Sequence, residues 1–173
     1  MDSKTFVAIQ APLKERYRKD ARTALLTLKA QGTLDEPNLT CKIDTGRGLA
    51  VAGLHKATGG TGLELCSGDM LLESLVACAG VSLRAAATLL DIEMTAGHIR
   101  AEGDVDLRGC LGMDSKVPVG FTEIRLSFDI ESDASPEALD ELLRVTEQYC
   151  VVNNTLREGA KVDFGMKLKR SNG

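Results

Sequence analysis

The chain has 173 residues, 43% hydrophobic and 27% charged, with a formal net charge of −4. At roughly 150 residues per domain this is about one domain, long enough to bury a sizeable core and too apolar to be disordered. An acidic chain with two Tyr, four Phe and no Trp lacks both the basic footprint and the stacking residues of a nucleic-acid binder.

Residues 12–30 predict an N-terminal helix, with Pro12 in its first turn and Gly32 as a stop. Segment 1–35 reads as an accessory helix ahead of a domain spanning 36–173. Residues 39–54 predict two short strands around a Thr-Gly-Arg-Gly turn, and the Gly-rich residues 55–68 predict a loop. Residues 69–90 give the strongest helix, capped by Ser67 or Asp69. Its expected inner face runs through Leu71, Ser74, Leu75, Cys78, Val81, Ser82, Ala85 and Leu89. Such a helix, apolar nearly all round, belongs at the centre of a fold. Residues 97–109 and 121–131 alternate as strands, the second with a phase slip near Ile124. Ser135-Pro136 opens a second helix, with Ser as cap and Pro at N1, whose stripe is Leu139, Leu142, Leu143, Thr146 and Cys150. Residues 161–169 alternate as a last strand. The order β-β-α-β-β-α-β defines an α+β domain.

Residues 1–20 carry six charged side chains between Lys4 and Lys19 and no sustained apolar run, so no secretory signal is expected. The span Ser74 to Leu90 is apolar but interrupted by Arg84, which argues for a buried helix rather than a membrane crossing. The expectation is a cytoplasmic protein with neither membrane nor nucleic acid as partner.

There are five cysteines, an odd number at irregular gaps, which is not a secreted disulfide framework. Cys78 lies mid-helix and Cys150 ends the second helix, both on inward faces. On spacing alone, each reads as a small buried hydrophobe. Cys41, Cys66 and Cys110 read as structural, Cys66 with some chance of reactivity near a helix start. No metal-ligand spacing is present: no two cysteines are two to four apart, and His55 and His98 stand alone. His98 reads as a surface residue; His55, beside the Gly-rich loop, is a weaker candidate for lining a pocket.

Two stretches carry a resemblance. Ser67-Gly-Asp-Met-Leu-Leu-Glu-Ser-Leu-Val-Ala-Cys78 resembles the first cysteine helix of the OsmC/Ohr family, and Tyr149-Cys-Val-Val-Asn-Asn-Thr-Leu156 its second cysteine motif. The Gly59-Gly60 loop, the Asp104 to Gly109 stretch and the Ser135-Pro136 helix fit as well, so the likeness spans residues 39 to 169. It implies an OsmC-like fold: antiparallel sheets wrapped around two long central helices in an intertwined homodimer. It also implies a thiol peroxidase. Cys78 would attack a hydroperoxide, organic by preference, and become a sulfenic acid. Cys150 would resolve that acid as a disulfide. An external dithiol, a lipoylated protein in the Ohr branch, would reduce the disulfide. No metal or organic cofactor is implied. By position, Arg47 is the implied thiolate stabiliser. Two departures stand out. Gly68 occupies the position of the Ohr-branch glutamate, and Val151 replaces a frequent proline. The rival expectations are a non-enzymatic module of the same fold that binds a hydrophobic small molecule, and a thiol redox sensor that forms the disulfide without turnover.

Overall fold

The computed structural model describes residues 2–27, 31–35, 40–44 and 48–167. Helix α1 runs over Ser3–Lys19, not 12–30. Asp2 starts it, its carboxylate accepting from the Thr5 amide at 2.8 Å. An aspartate cap of this kind satisfies an otherwise orphaned N–H, which is why the helix begins well before Pro12. Pro12 thus lies inside the helix. At the far end the Asp20 carboxylate accepts from the Arg22 amide at 3.1 Å and turns the chain into a short 3-10 turn, Ala21–Ala24. No α1 residue is buried.

Four strands follow in one sheet: β1 (Gln31–Asp35), β2 (Thr40–Asp44), β3 (Leu49–Gly53) and β4 (Leu65–Cys66), ordered β1-β2-β3-β4. The two strands expected around the Thr-Gly-Arg-Gly turn are β2 and β3. They pair antiparallel from Thr40 opposite Gly53 to Asp44 opposite Leu49. β1 continues the antiparallel meander, while β4 runs parallel to β3. The loop between β3 and β4 needs both of its adjacent glycines. Gly59 has φ 93°, and a Cβ on Gly60 would lie 1.7 Å from the Leu54 carbonyl oxygen.

Helix α2 spans Ser67–Leu89 and is the longest element. Cys66 is its N-cap residue, and neither Ser67 nor Asp69 supplies a capping bond. Its buried face is Leu75, Ala79, Leu83, Ala86 and Ala87. The inner face expected from the sequence is therefore rotated. Leu75 belongs to it, whereas Leu71, Ser74, Val81 and Leu89 are exposed, Val81 at 72%. An almost uniformly apolar helix carries no stripe strong enough to set its own rotation. Contacts with the later sheet and with α4 set it instead. Among the described residues α2 is the one helix long and apolar enough to cross a membrane.

β5 (Ala96–Val105) and β6 (Phe121–Glu131) form an antiparallel pair. β5 stops at Val105 rather than running to 109. Asp106 caps a one-turn helix, α3 (Leu107–Cys110), accepting from the Arg108 amide at 3.0 Å. The phase slip in the sequence is a bulge. Asp104 pairs with Glu123 and Val105 with Phe121, which leaves Thr122 as the extra residue. The Thr122 hydroxyl donates to the Asp104 carbonyl at 3.1 Å. Beyond the bulge Ile124, Leu126, Phe128 and Ile130 all turn toward the helices.

Helix α4 (Pro136–Tyr149) starts as the sequence requires, with Ser135 accepting from the Ala138 amide at 3.3 Å and Pro136 at the first position. Ser135→Ala is expected to lower unfolding stability by about 0.5–2 kcal/mol in a denaturant titration. At Cys150 the chain turns directly into an unforeseen helix, α5 (Val151–Glu158). The expected last strand is absent across residues 161–167. Val162, Phe164 and Met166 keep their alternation, yet all are exposed, Phe164 at 97% and Met166 at 93%. A strand needs a neighbouring ladder for its backbone groups, and none of the described strands pairs with this segment.

The core lies between α2, α4 and the β5–β6 pair. Leu83, Ala86, Ala87 and Leu142 pack with Phe128 and Ile130 at one end, and Leu75, Ala79 and Cys150 pack with Ile124, Leu126 and Val152 at the other. The fold is α+β, as expected.

Candidate functional site

Cys78 sits in the middle of α2 and is half-buried, while Cys150 joins α4 to α5 and is 1% exposed. Each lies deep enough in regular structure for its backbone to be fixed. The Cys150 amide donates to the Thr146 carbonyl at 3.0 Å, closing α4. Its own carbonyl accepts from the Asn154 amide and from Asn154 Nδ2, both at 3.0 Å. Nδ2 of Asn154 also reaches the Gln148 carbonyl at 3.0 Å. Asn154 thus satisfies carbonyls that the end of α4 would leave orphaned. Val151 occupies the first position of α5, where a proline is well tolerated because its missing N–H has no helical partner. Valine in place of the family's proline therefore leaves the joint intact.

The two cysteines meet. Cys78 packs against the cluster of Leu75, Ala79 and Cys150, near enough for its thiol to influence the ionisation of Cys150. Burial pushes the Cys150 thiol above its ordinary value. The Asn153 and Val152 amides pull it back, and the Cys78 thiol adds to the rise. The sign of the resulting pH dependence follows. A raised thiol keeps its proton in the folded state after the unfolded state has lost it. Stability is then unaffected below the ordinary thiol value of about 8.5 and falls as pH rises above it. Melting temperature should fall between about pH 8 and pH 10 more steeply in the wild type than in Cys150→Ala.

The surroundings are apolar. A cavity of about 270 Å³ opens beside Cys150, between Leu126 and Phe128 of β6, Thr146 and Glu147 of α4, and Asn153 of α5. A second, of about 290 Å³, lies on the other side of Asn153, against Leu75, Phe121, Leu156 and Arg157. Two of the charged residues that line these cavities pair with each other. Arg157 pairs with Glu147. Arg125 binds Asp104, with 2.9 Å between Nη2 and Oδ1, and that hydrogen bond raises its pKa. Arg47 lies outside the described residues. The ring of Phe121 stands 3.4 Å from where a Cβ on Gly68 would be, so an aromatic edge faces the position that bears a glutamate in the Ohr branch.

The remaining candidates are dispersed. Cys66 caps α2, Cys110 is exposed at the end of α3, and Cys41 falls in β2. His55 begins a 3-10 turn, Lys56–Thr58. Its Nδ1 accepts from the Ala57 amide at 3.1 Å, which ties the ring to that turn. His98 is exposed on β5, as expected. Among the described residues no group of three His, Cys, Asp or Glu side chains could hold a metal. Asn153 and Asn154 went unremarked in the sequence. Two adjacent asparagines three and four residues after an inward cysteine were the signal available, since asparagine favours helix ends over helix interiors.

These features define an α+β domain in which a buried thiol from one helix packs against a half-buried thiol from another. The family model for OsmC-like proteins matches residues 60–165, and the chain belongs to that family. No curated protein sequence matches the chain. Solved structures share the fold. An OsmC-like protein from Mycoplasma pneumoniae superposes with a TM-score of 0.64 at 18% identity, covering 78% of this chain and 89% of its own. An organic hydroperoxide resistance protein from Elizabethkingia anophelis gives 0.61 at 20%, covering 78% and 91%. One from Legionella pneumophila, also described as a predicted redox protein, gives 0.60 at 17%, covering 77% and 90%.

Proposed function

We propose that the protein is a thiol-dependent hydroperoxide reductase working through Cys78 and Cys150. The observation that carries this reading is the packing of half-buried Cys78 against the core cluster that contains the sealed Cys150. Accessibility assigns the order. The Cys78 thiolate attacks the terminal peroxide oxygen, the O–O bond breaks, and the alkoxide leaves and takes up a proton as the alcohol. Cys78 is now a sulfenic acid. The Cys150 sulfur attacks it, the S–O bond breaks, and hydroxide leaves as water with the thiol proton. A dithiol then reopens the disulfide by exchange and is itself oxidised. Every step uses sulfur and protons alone, so no metal or organic cofactor is needed. The apolar walls favour organic hydroperoxides over hydrogen peroxide. Arg47 remains the proposed source of positive charge for the Cys78 thiolate.

The membership of the family and the names of two fold relatives, both organic hydroperoxide resistance proteins, support the same chemistry. A half-open Cys78 beside a sealed Cys150 favours the enzyme over a purely packed pair in a ligand-binding module. The proposed setting is the cytoplasm, where thiols stay reduced. The proposed assembly is a homodimer. Val81, Phe164 and Met166 are too exposed and too apolar for a lone chain, and light scattering should return twice the 18.5 kDa chain mass. The deciding experiment mixes the protein with cumene hydroperoxide and dithiothreitol. Peroxide loss above the protein-free rate is expected, and none would sink the reading.

A further inference from the structure

The chain changes direction between α4 and α5 at a single residue. α4 ends at Tyr149, α5 starts at Val151, and Cys150 between them is extended, with φ −75° and ψ 101°. A sulfur carried on a one-residue joint moves with any change in the angle between the two helices. The bond from the Cys150 amide to the Thr146 carbonyl only closes α4. The side chain that crosses the joint is Asn154 of α5. Its Nδ2 donates to the Cys150 carbonyl at 3.0 Å and to the Gln148 carbonyl at 3.0 Å. It also reaches the Glu147 carbonyl, more weakly, at 3.3 Å. Satisfying those carbonyls does not by itself require an asparagine. Glu147 and Gln148 are exposed, and water can serve the carbonyls of an exposed helix end. What water cannot do is tie α5 to α4. The other tie across the joint, Arg157 with Glu147, joins two exposed side chains, and such a pair is worth little.

We infer that Asn154 is the positioning residue for the resolving sulfur, holding the α4–α5 joint so that the Cys150 thiol meets the Cys78 sulfenic acid. This role rests on the thiol-pair reading. In the step concerned the S–S bond forms, the S–O bond of Cys78 and the S–H bond of Cys150 break, and water leaves. One reaction competes for the same intermediate. A second hydroperoxide transfers an oxygen to the sulfenic sulfur, leaving a sulfinic acid on Cys78 and releasing an alcohol. Only the first of these needs Cys150 in place. A displacement of about 1 Å can slow a reaction between two held groups about 100-fold. Loosening the joint therefore shifts the balance between two products of one intermediate.

Two variants test this role. Asn154→Leu keeps the side-chain size and removes the donors. Asn154→Asp keeps the shape and puts acceptors where the donors were. Reduced full-length protein is exposed to excess cumene hydroperoxide without a dithiol. Mass spectrometry then reads the ratio of sulfinic Cys78 to the Cys78–Cys150 disulfide. In both variants the ratio should rise about ten- to 100-fold over wild type, with the first equivalent of hydroperoxide consumed at the wild-type rate. A plain helix cap would lower the melting temperature and leave the ratio where it was. An unchanged ratio in either variant, or a first step slowed as much as the second, would overturn the role of Asn154 alone. A wild type that forms no disulfide would bring down the thiol-pair reading as well.

Discussion

Cys78→Ser is expected to bring dithiothreitol-driven consumption of cumene hydroperoxide down to the protein-free rate. A serine hydroxyl is not ionised near neutral pH and cannot take the place of a thiolate as nucleophile or store the oxygen as a sulfenic acid. Cys150→Ser should behave differently. Without a dithiol, Cys78 keeps its reactivity and consumes one equivalent of peroxide, but no partner sulfur is present to close the disulfide. A dimedone adduct on Cys78 should then be visible by mass spectrometry in Cys150→Ser and faint in the wild type. Equal peroxide turnover in Cys78→Ser and wild type would remove the pair from the chemistry. So would an adduct found only on Cys66 or Cys110.

The largest loss of stability is expected from Leu142→Ala. Leu142 is 1% exposed and joins α4 to Leu83, Ala86 and Ala87 of α2. Those partners include two alanines in a regular helix, which cannot reach into the space left behind. The expected cost is therefore toward the upper part of about 2–5 kcal/mol. For a chain of this size that lowers the melting temperature by roughly 5–15 °C. A loss under about 1 kcal/mol in a denaturant titration would show that the α2–α4 contact is looser than described.

Parts of this architecture were legible because one short-range cause settled them. Ser135-Pro136 names a helix start by itself, and the structure uses both residues in that way. The broken alternation between Phe121 and Ile124 announced the bulge at Thr122. The meeting of Cys78 and Cys150 came from a motif resemblance together with the inward faces of two helices. Other parts depended on distant partners. The rotation of α2 is set by β5, β6 and α4, and an all-round apolar helix cannot announce it. The alternation of Val162, Phe164 and Met166 was read as a strand, but the pattern states only a preference; a ladder requires a second strand. α1 began nine residues before Pro12 because Asp2 supplies a cap. The joint at Cys150 contains neither Gly nor Pro, so only the two asparagines that follow it mark the change from α4 to α5.

That joint has a mechanical consequence. The amide and carbonyl of Cys150 are both tied, to Thr146 on one side and doubly to Asn154 on the other. Cys78 is tied just as firmly in mid-helix. Neither backbone has slack to give, so forming the sulfur–sulfur bond falls to rotation of the two side chains about their Cα–Cβ bonds. Oxidation would then resemble the turning of a key in a fixed lock. Far-ultraviolet circular dichroism of reduced and oxidised protein should superimpose, and amide hydrogen exchange in α4 and α5 should be the same in both states. The protein would carry its redox state in two torsion angles, hidden from everything that reads its overall shape.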